Sequence, residues 1–298
     1  MNREDTYFFS VVVPSYNRAD LLPRTLASVC EQQFMNYEVL IVDDGSTDNT
    51  EEAVREFLGE HIHYYYKDNA ERAAARNYGT RHAKGKYICW FDSDDLMHPD
   101  HLQKAFEEIE KATNPEVFVQ SYDCCDPEGN ILSKHLIGEY ETAELYKGNF
   151  LSCNAVFVRR DVALQNLFNE ERALSVSEDY ELWLRLAAGY PFHYGNQVTS
   201  SIIQHEQRST ASMKMAERLV LRFETFLKII DGNKEVTKFL GRNYGYFKMK
   251  NYLILSVDLA YNGHKKAALK YLRKAVGSSF RFYKERSFYA IVKHLLIS

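Results

Sequence analysis

Residues 8–46 read FFSVVVPSYNRADLLPRTLASVCEQQFMNYEVLIVDDGS. Phe8–Pro14 is a continuous apolar run, the pattern of a strand covered on both faces. Asp20–Gln32 reads as a helix, and Tyr37–Val42 (YEVLIV) as a second strand that stops at clustered acid and glycine. A strand, a helix and a strand at this spacing make a βαβ unit, which implies a parallel sheet.

The pattern repeats outward. Asp48 or Thr47 can cap a helix that runs to about Leu58, Ile62–Tyr66 is a third strand, and Ala70–Ala83 is a helix rich in Ala and Arg. Lys86–Phe91 is a fourth strand, Pro99–Lys111 a helix and Glu116–Gln120 a fifth strand. From Asp123 to Phe150 the pattern loosens. Cys153–Val158 and Thr199–His205 read as strands, and Ser177–Ala188 as an amphipathic helix with acid in its first turn. After about Met213 the chain turns helical, with apolar residues at Ala268, Tyr271, Leu272 and Ala275. The expected organisation is a Rossmann-like α/β domain over residues 1–212, its mostly parallel sheet flanked by helices, and a helical extension over 213–298.

The bulk numbers fit that size. The chain has 298 residues, 45% apolar and 26% charged, enough for a large α/β domain and a smaller appendage. A net charge of −4 argues against nucleic acid as the main partner. Five cysteines without a C-x-x-C pair argue against a disulfide framework or a zinc site and fit a reducing compartment. The first residues, with charges of both signs, do not read as a signal peptide, and no apolar run approaches the roughly 18 residues of a membrane span. The expected location is cytoplasmic.

In a parallel α/β sheet the ligand lies beyond the carboxyl ends of the strands. Three loops occupy those ends: Pro14-Ser15-Tyr16-Asn17, Asp43-Asp44-Gly45-Ser46 and Asp92-Ser93-Asp94-Asp95. Three carboxylates within four residues repel one another. A divalent cation such as Mg²⁺ or Mn²⁺ at Asp94 would compensate them and leave open positions for diphosphate oxygens. The plainer reading is a solvated turn in which Asp95 or Ser93 caps a following helix. Asp44 reads either as an acceptor for a nucleobase or ribose, or as part of a turn leading into a helix. Arg76 reads as a partner for a base or diphosphate, or as an ion-pair partner of Asp44 or Asp92.

PSYNR, VDDGSTDNT, ARNYGTRHAKGKYICWFDSDD, SEDYELWLRL and QHEQRST occur in the order and spacing of the family 2 inverting glycosyltransferases. The resemblance covers about residues 7–212 and implies a GT-A fold. It implies that Pro14, Ser15, Tyr16, Asp44 and Arg76 hold the nucleotide, that Asp92 and Ser93 lie near the ribose, and that Asp94 is the metal ligand. It further implies that His205 lies near the metal and diphosphate, that Arg208 and Ser209 belong to a loop closing over the donor, and that Asp179 is the catalytic base. Displacement at an anomeric carbon needs such a base on the acceptor hydroxyl and an electrophile on the departing diphosphate. Glu178 competes with Asp179 for the role, and helix capping is the ordinary use of either. The implied donor is a UDP-sugar and the implied acceptor a saccharide or lipid-linked saccharide.

Other residues read more plainly. His61 and His63 lack a third ligand for zinc. His98 and His101 read as decoration of a helix start, with contact to a diphosphate as the alternative. Trp90 and Trp183 read as packing residues, though Trp183 so close to Asp179 could stack on an acceptor sugar. From Ala260 onward there are nine Lys/Arg and one acid. That segment is a solvated face, a homodimer contact, or a patch drawn to an anionic inner membrane leaflet.

Three rival functions fit less well. Phosphatases of the haloacid dehalogenase type carry their D-x-D after the first strand, not the fourth. A nucleotidyltransferase would want a glycine-rich, basic loop where Pro14–Asn17 stands. A non-catalytic sugar-nucleotide-binding module has no need of both Asp94 and Asp179.

Overall fold

The protein, seen in a computed structural model, is described here over residues 6–139, 141–205 and 216–297. The chain divides into two compact units. One comprises Met1–Tyr140, Phe150–Arg172 and Tyr190–His205, the other Glu141–Asn149, Ala173–Gly189 and Glu206–Ser298. The expected boundary near Ser212 lies outside the described residues. The helical unit also takes in two segments of the chain before that point, residues 141–149 and 173–189.

The first unit is an α/β sandwich. Its strands are β1 (Tyr7–Ser15), β2 (Tyr37–Asp43), β3 (Ile62–Tyr66), β4 (Gly85–Trp90), β5 (Leu96–Met97), β6 (Val117–Cys125), β7 (Ile131–His135), β8 (Val156–Arg159) and β9 (Phe192–Ile203). Its helices are α1 (Leu22–Cys30), α2 (Thr50–Val54), α3 (Glu71–His82), α4 (His101–Lys111) and α5 (Arg160–Gln165). The sheet runs β3-β2-β1-β4-β8-β6-β9-β5, with β7 on β6. β3, β2, β1 and β4 are mutually parallel, as the βαβ reading requires. β8 then enters antiparallel between β4 and β6, and β9 returns parallel to β6.

Burial explains the apolar runs. Val11, Val12, Val13, Val39, Leu40, Ile41 and Val42 have no exposed surface, because helices cover both faces of the parallel half. Leu22, Leu26 and Val29 of α1 and Leu102, Ala105 and Ile109 of α4 close one side. On α3, Gly79 is packing rather than flexibility: a Cβ there would stand 2.3 Å from Val12 Cγ1.

Several expected elements are longer or shorter than the sequence suggested. β6 runs on to Cys125, and the strand expected at Thr199–His205 is the end of β9, which begins at Phe192. The helix expected to reach Leu58 is α2 plus a 3₁₀ turn, Arg55–Phe57. No side chain caps α2 from its cap position, although Asp48 Oδ1 accepts from Thr50 N at 3.1 Å.

The second unit contains α6 (Glu178–Gly189), α7 (Ala216–Gly232), α8 (Lys234–Leu240), α9 (Tyr244–Tyr261), α10 (Lys265–Ser278) and α11 (Arg286–Ile297). Its core gathers Leu219, Phe223, Met249, Leu253, Leu259, Ala268, Tyr271 and Ala275. Asn233 caps α8 by accepting from Glu235 N and Val236 N. Within this unit Arg222 is largely buried and held against two acids, Asp258 and Glu178. No described helix is long and apolar enough to cross a membrane.

Two buried polar residues position the carboxyl edge of the sheet. Asp95 has no exposed surface. Its Oδ2 accepts from Asn154 Nδ2 at 2.7 Å, its Oδ1 from Ile203 N at 2.8 Å, and its carbonyl from Thr25 Oγ1 at 2.9 Å. Neither Asp95 nor Ser93 caps a helix, because β5 follows. His101 is also fully buried, its Nδ1 at 2.8 Å from Thr199 Oγ1, with the Phe157 ring 5.2 Å away. It is a core residue, not decoration of a helix start and not a diphosphate ligand.

Asp95→Ala would strand the Asn154 amide and the Ile203 N–H in the interior and should cost about 2–4 kcal/mol in urea unfolding. Asp94→Ala, at a side chain that keeps 11% exposure and whose partners His205 and Arg18 can be rehydrated, should cost less, about 1 kcal/mol. Burial, and next the charge of His98, hold His101 down to a pKa of about 3. The unfolded chain binds its proton below about pH 6.5 while the native state refuses it, so stability falls as pH falls through that value. This one site should remove about 2 kcal/mol between pH 7.5 and pH 5. Urea midpoints at the two pH values should converge in His101→Gln.

Candidate active site

The parallel register fixes where the three loops emerge. Ser15 lies opposite Asp43, and Val12 opposite Trp90, so the carboxyl ends of β2, β1 and β4 stand side by side. The loop after β1 is laced to the loop after β2. Asn17 N donates to Ser46 Oγ at 2.8 Å, Thr47 N to Asn17 Oδ1 at 2.8 Å, and Ala19 N to Asp48 Oδ2 at 3.1 Å. Asn17 itself sits at φ 50°, a left-handed turn residue that asparagine tolerates.

The two acids after β2 divide their work. Asp43 is buried, accepts from Ser46 N and from the Tyr64 hydroxyl, and so shapes the turn. Burial and the bond to Asp43 push the Tyr64 phenol far above its usual range, so it stays a donor. Asp44 accepts from Lys67 Nζ and from Ala70 N at 3.0 Å, both through Oδ1. The turn reading of this string is therefore realised. Ser15 is buried, and its hydroxyl has no partner among the described residues. Pro14 is part of β1, opposite Val42, while Tyr16 beyond it is 48% exposed.

The three carboxylates after β4 are separated by their partners. Asp92 Oδ1 takes Arg76 Nη2 at 2.7 Å, and its own N–H goes to Asn154 Oδ1 at 2.8 Å. Of the pairings open to Arg76, the one with Asp92 forms. Arg76 is 2% exposed, and its guanidinium lies 5.2 Å from the centre of the Phe168 ring. Phe168 is clasped by Asn77, which donates to its carbonyl and accepts from its N–H. Asp94 Oδ2 lies 3.1 Å from His205 Nε2 and 3.6 Å from Arg18 Nη2. Ser93, between the two acids, is buried. Ser15, Asp44, Arg76, Asp92, Ser93, Asp94 and His205 thus gather at one sheet edge. Arg208 and Ser209 lie outside the described residues.

Asp179 belongs to the second unit, in the first turn of α6. Its Oδ1 accepts from Tyr180 N at 2.7 Å and its Oδ2 from Asn149 Nδ2 at 3.0 Å. It is half-buried, whereas Glu178 is 2% exposed and shares the buried charge cluster of Arg222. Trp183 has no exposed surface and packs; it presents no face to a sugar.

Among the described residues, no group of three or more His, Cys, Asp or Glu side chains is placed to hold a metal. Of the histidines set aside in the sequence, His61 packs edge-on against Tyr37 and His98 Nε2 lies 2.9 Å from Ser201 Oγ. Sequence reasoning missed Arg18, Lys67, Asn154 and Phe168. Arg18 stood inside the PSYNR string, but nothing in the spacing gave it a role. Asn154 and Phe168 had no local signal, since their importance comes from partners more than sixty residues away.

Residues 10–168 match the Glycosyl transferase family 2 domain. The putative teichuronic acid biosynthesis glycosyltransferase TuaG of Bacillus subtilis is 31% identical over 182 residues, which cover 59% of this chain and 71% of that protein. The chain spans only 40% and 38% of the length of two uncharacterized glycosyltransferases, of Rickettsia conorii and Rickettsia felis, each 28% identical to it. TarS 1–349 of S. aureus, solved with UDP-GlcNAc, superposes with a TM-score of 0.60 at 17% identity, over 91% of this chain and 90% of that one. The mannosyltransferase PcManGT of Pyrobaculum calidifontis, solved with GDP-Man and Mn²⁺, gives a TM-score of 0.59 at 19% identity, over 98% and 86%. At these identities the superpositions speak for the fold. The family domain covers more than half of the chain, and the chain belongs to glycosyltransferase family 2, on a GT-A fold with C-terminal helices.

Proposed function

We propose that this glycosyltransferase moves a hexosyl or N-acetylhexosaminyl unit from a UDP-sugar to an acceptor hydroxyl, with inversion at the anomeric carbon. The acceptor is a saccharide or lipid-linked saccharide, and the process is surface polysaccharide or glycolipid synthesis in the cytoplasm. The observation that carries the reading is the Asp94–His205 pair, 3.1 Å apart at the end of β4 beside the Arg76–Asp92 ion pair. TuaG's name supports the polysaccharide class, and the UDP-GlcNAc complex of TarS supports the nucleotide.

The donor side falls to the first unit. Ser15, with its buried hydroxyl unpaired among the described residues, Pro14, the exposed Tyr16 ring, Asp44 and Arg76 hold the nucleotide. Asp92, oriented by Arg76, receives the ribose with Ser93 beside it, and Arg208 and Ser209, outside the described residues, are assigned to the donor as well. Asp94 and His205 are the metal ligands. Two neighbouring ligands of an octahedral cation at about 2.1 Å lie about 3 Å apart, which matches the spacing of their donor atoms. One carboxylate and one imidazole, with the remaining positions left to phosphate and water, suit Mn²⁺, and Mg²⁺ as the alternative. When bound, the cation neutralises charge on the departing diphosphate. Arg18, 3.6 Å from Asp94, adds a fixed positive charge at the same place.

Asp179 is the base that takes the acceptor proton. Glu178, the competitor, is buried against Arg222 and so is committed to holding α6 in place. The basic C-terminal segment is assigned to contact with an anionic membrane at the inner face of the plasma membrane. Lys265, Lys266, Lys270 and Arg273 of α10 are exposed, as are Phe280 and Tyr283 just after it. A homodimer contact through the same surface is the alternative.

A panel of UDP-, GDP- and dTDP-sugars with Mn²⁺ tests the reaction. Release of a nucleoside diphosphate from one of them is expected, and release of phosphate from small phosphoesters instead would overturn the reading. Asp94→Ala should lose metal-dependent donor binding. Asp179→Asn should keep binding but drop kcat by at least about a hundredfold. For the tail, the pure protein should sediment with anionic but not with neutral vesicles. Equal sedimentation with both would remove the membrane assignment.

A further inference from the structure

We propose that Asn149 is a positioning residue for the Asp179 carboxylate, brought to it by a bend that only Gly148 can make. This rests on the reading of Asp179 as the base.

The segment that carries Asn149 follows the helices, not the sheet. Residues 141–149 belong to the second unit with α6. A 3₁₀ turn, Thr142–Lys147, buries Leu145 completely. Tyr180, the residue after Asp179, donates its hydroxyl to the Leu145 carbonyl. The Tyr146 ring meets Tyr246 of α9 edge-on at 5.4 Å. The turn is therefore pinned at two successive residues, one of them by the neighbour of the base itself. Tyr180 is in turn stacked on Phe226 at 5.3 Å and tilted against Phe247 at 6.1 Å. Burial pushes its phenol far above the usual range, so it remains a donor.

Gly148 then leaves the turn at φ 147°, ψ 171°. That region is open to glycine and closed to residues with a Cβ. The next residue, Asn149, gives Nδ2 to Asp179 Oδ2 at 3.0 Å. The opposite oxygen, Oδ1, is held by Tyr180 N at 2.7 Å. Each carboxylate oxygen is thus engaged from a different direction, which fixes the rotation of a side chain that would otherwise sample several wells. A carboxylate can only accept, so the amide nitrogen is the atom that faces it. The chain on the other side of Asp179 is also constrained. Val176 sits at φ 76°, an unfavourable value for a β-branched residue, and Ser177 N donates to Leu174 O at 2.7 Å. A glycine-only bend on one approach and a strained Val176 on the other hold the backbone around one carboxylate, as a geometry kept for chemistry requires.

The test combines turnover with a readout of the bond itself. With the donor that the panel identifies, and water as acceptor, Asn149→Ala should lower kcat at least about tenfold while donor KM stays within about twofold. Thermal midpoints should match. The double variant Asn149→Ala/Asp179→Asn should be no slower than Asp179→Asn alone, since a residue that acts through the base has nothing left to act on. A unchanged kcat in Asn149→Ala, with Asp179→Asn inactive, overturns the role of Asn149 alone. Wild-type kcat in Asp179→Asn removes the base reading instead.

The hydrogen bond is also measurable without turnover, by titrating the Asp179 carboxyl carbon in NMR. Losing a donor to the charged form should move its half-titration to higher pH in Asn149→Ala. Glu178 on the same helix, Tyr180 beside it, Arg222 and Asp258 from α7 and α9, and Lys147 on the turn are unchanged between the two proteins, so the difference reads Asn149. Coincident titrations would overturn the inference.

Discussion

Charge repulsion among Asp92, Asp94 and Asp95 is the constraint around which the first unit is organised. Three carboxylates at the end of a buried strand stay close only if each has its own compensation. The fold supplies three different kinds. Asp95 disappears into the interior on hydrogen bonds from Asn154 and Ile203. Asp92 is neutralised by Arg76 from α3. Asp94, the middle one, meets His205 and Arg18 and retains some exposure. The sheet order follows from these demands as much as from the apolar runs, since β8 must bring Asn154 beside β4 and β9 must bring Ile203 and His205 back to the same edge.

Hydrophobic pattern and loop chemistry made the parallel half legible. FFSVVVP, YEVLIV and KYICWF are strands because helices cover them on both faces, and the loops after them, two of them acidic, stand at the carboxyl edge where such sheets take ligands. The antiparallel half was harder to read. β8 is four residues long, and β5 is two, too short for any periodicity to register. β9 alternates buried and exposed residues irregularly along its first half, which hid its start at Phe192. Long-range partners are invisible to spacing altogether. Nothing near Asn154 or Phe168 signals that one orients the Asp92 loop and the other backs the Arg76 guanidinium.

The same limit explains the reading of His101 that the structure changed and the alternative at Trp183 that it closed. His101 looked like a polar residue at a helix start, but α4 turns that face inward onto Phe91 and Phe157, and a neutral imidazole fits there by bonding to Thr199. Trp183 stands four residues from Asp179, one turn of α6, yet its side chain is wholly inside the helical unit. Trp183 packs, as its residue type first suggested, and in both cases the helix phase closes the alternative of a ligand contact. Phase could have been counted for α6, where Tyr180 and Trp183 flank Leu184 on the buried side. For His101 the cover comes from β9, nearly a hundred residues later in the chain.

The family domain ends at residue 168, before Asp179, and the helix that carries Asp179 folds with the C-terminal helices rather than with the sheet. Asp44, Asp92 and Asp94, the carboxylates proposed to serve the donor, all lie within the matched stretch. Within the second unit the surroundings of Asp179 are set by packing, Tyr180 against Phe226 and Phe247, with Glu178 close to the charge of Arg222. All of those contacts lie within the second unit, so substitutions among them act on Asp179 through its own packing. With Asp179 in the proposed role, kcat should respond to changes in the Phe226–Tyr180–Phe247 stack while donor affinity does not.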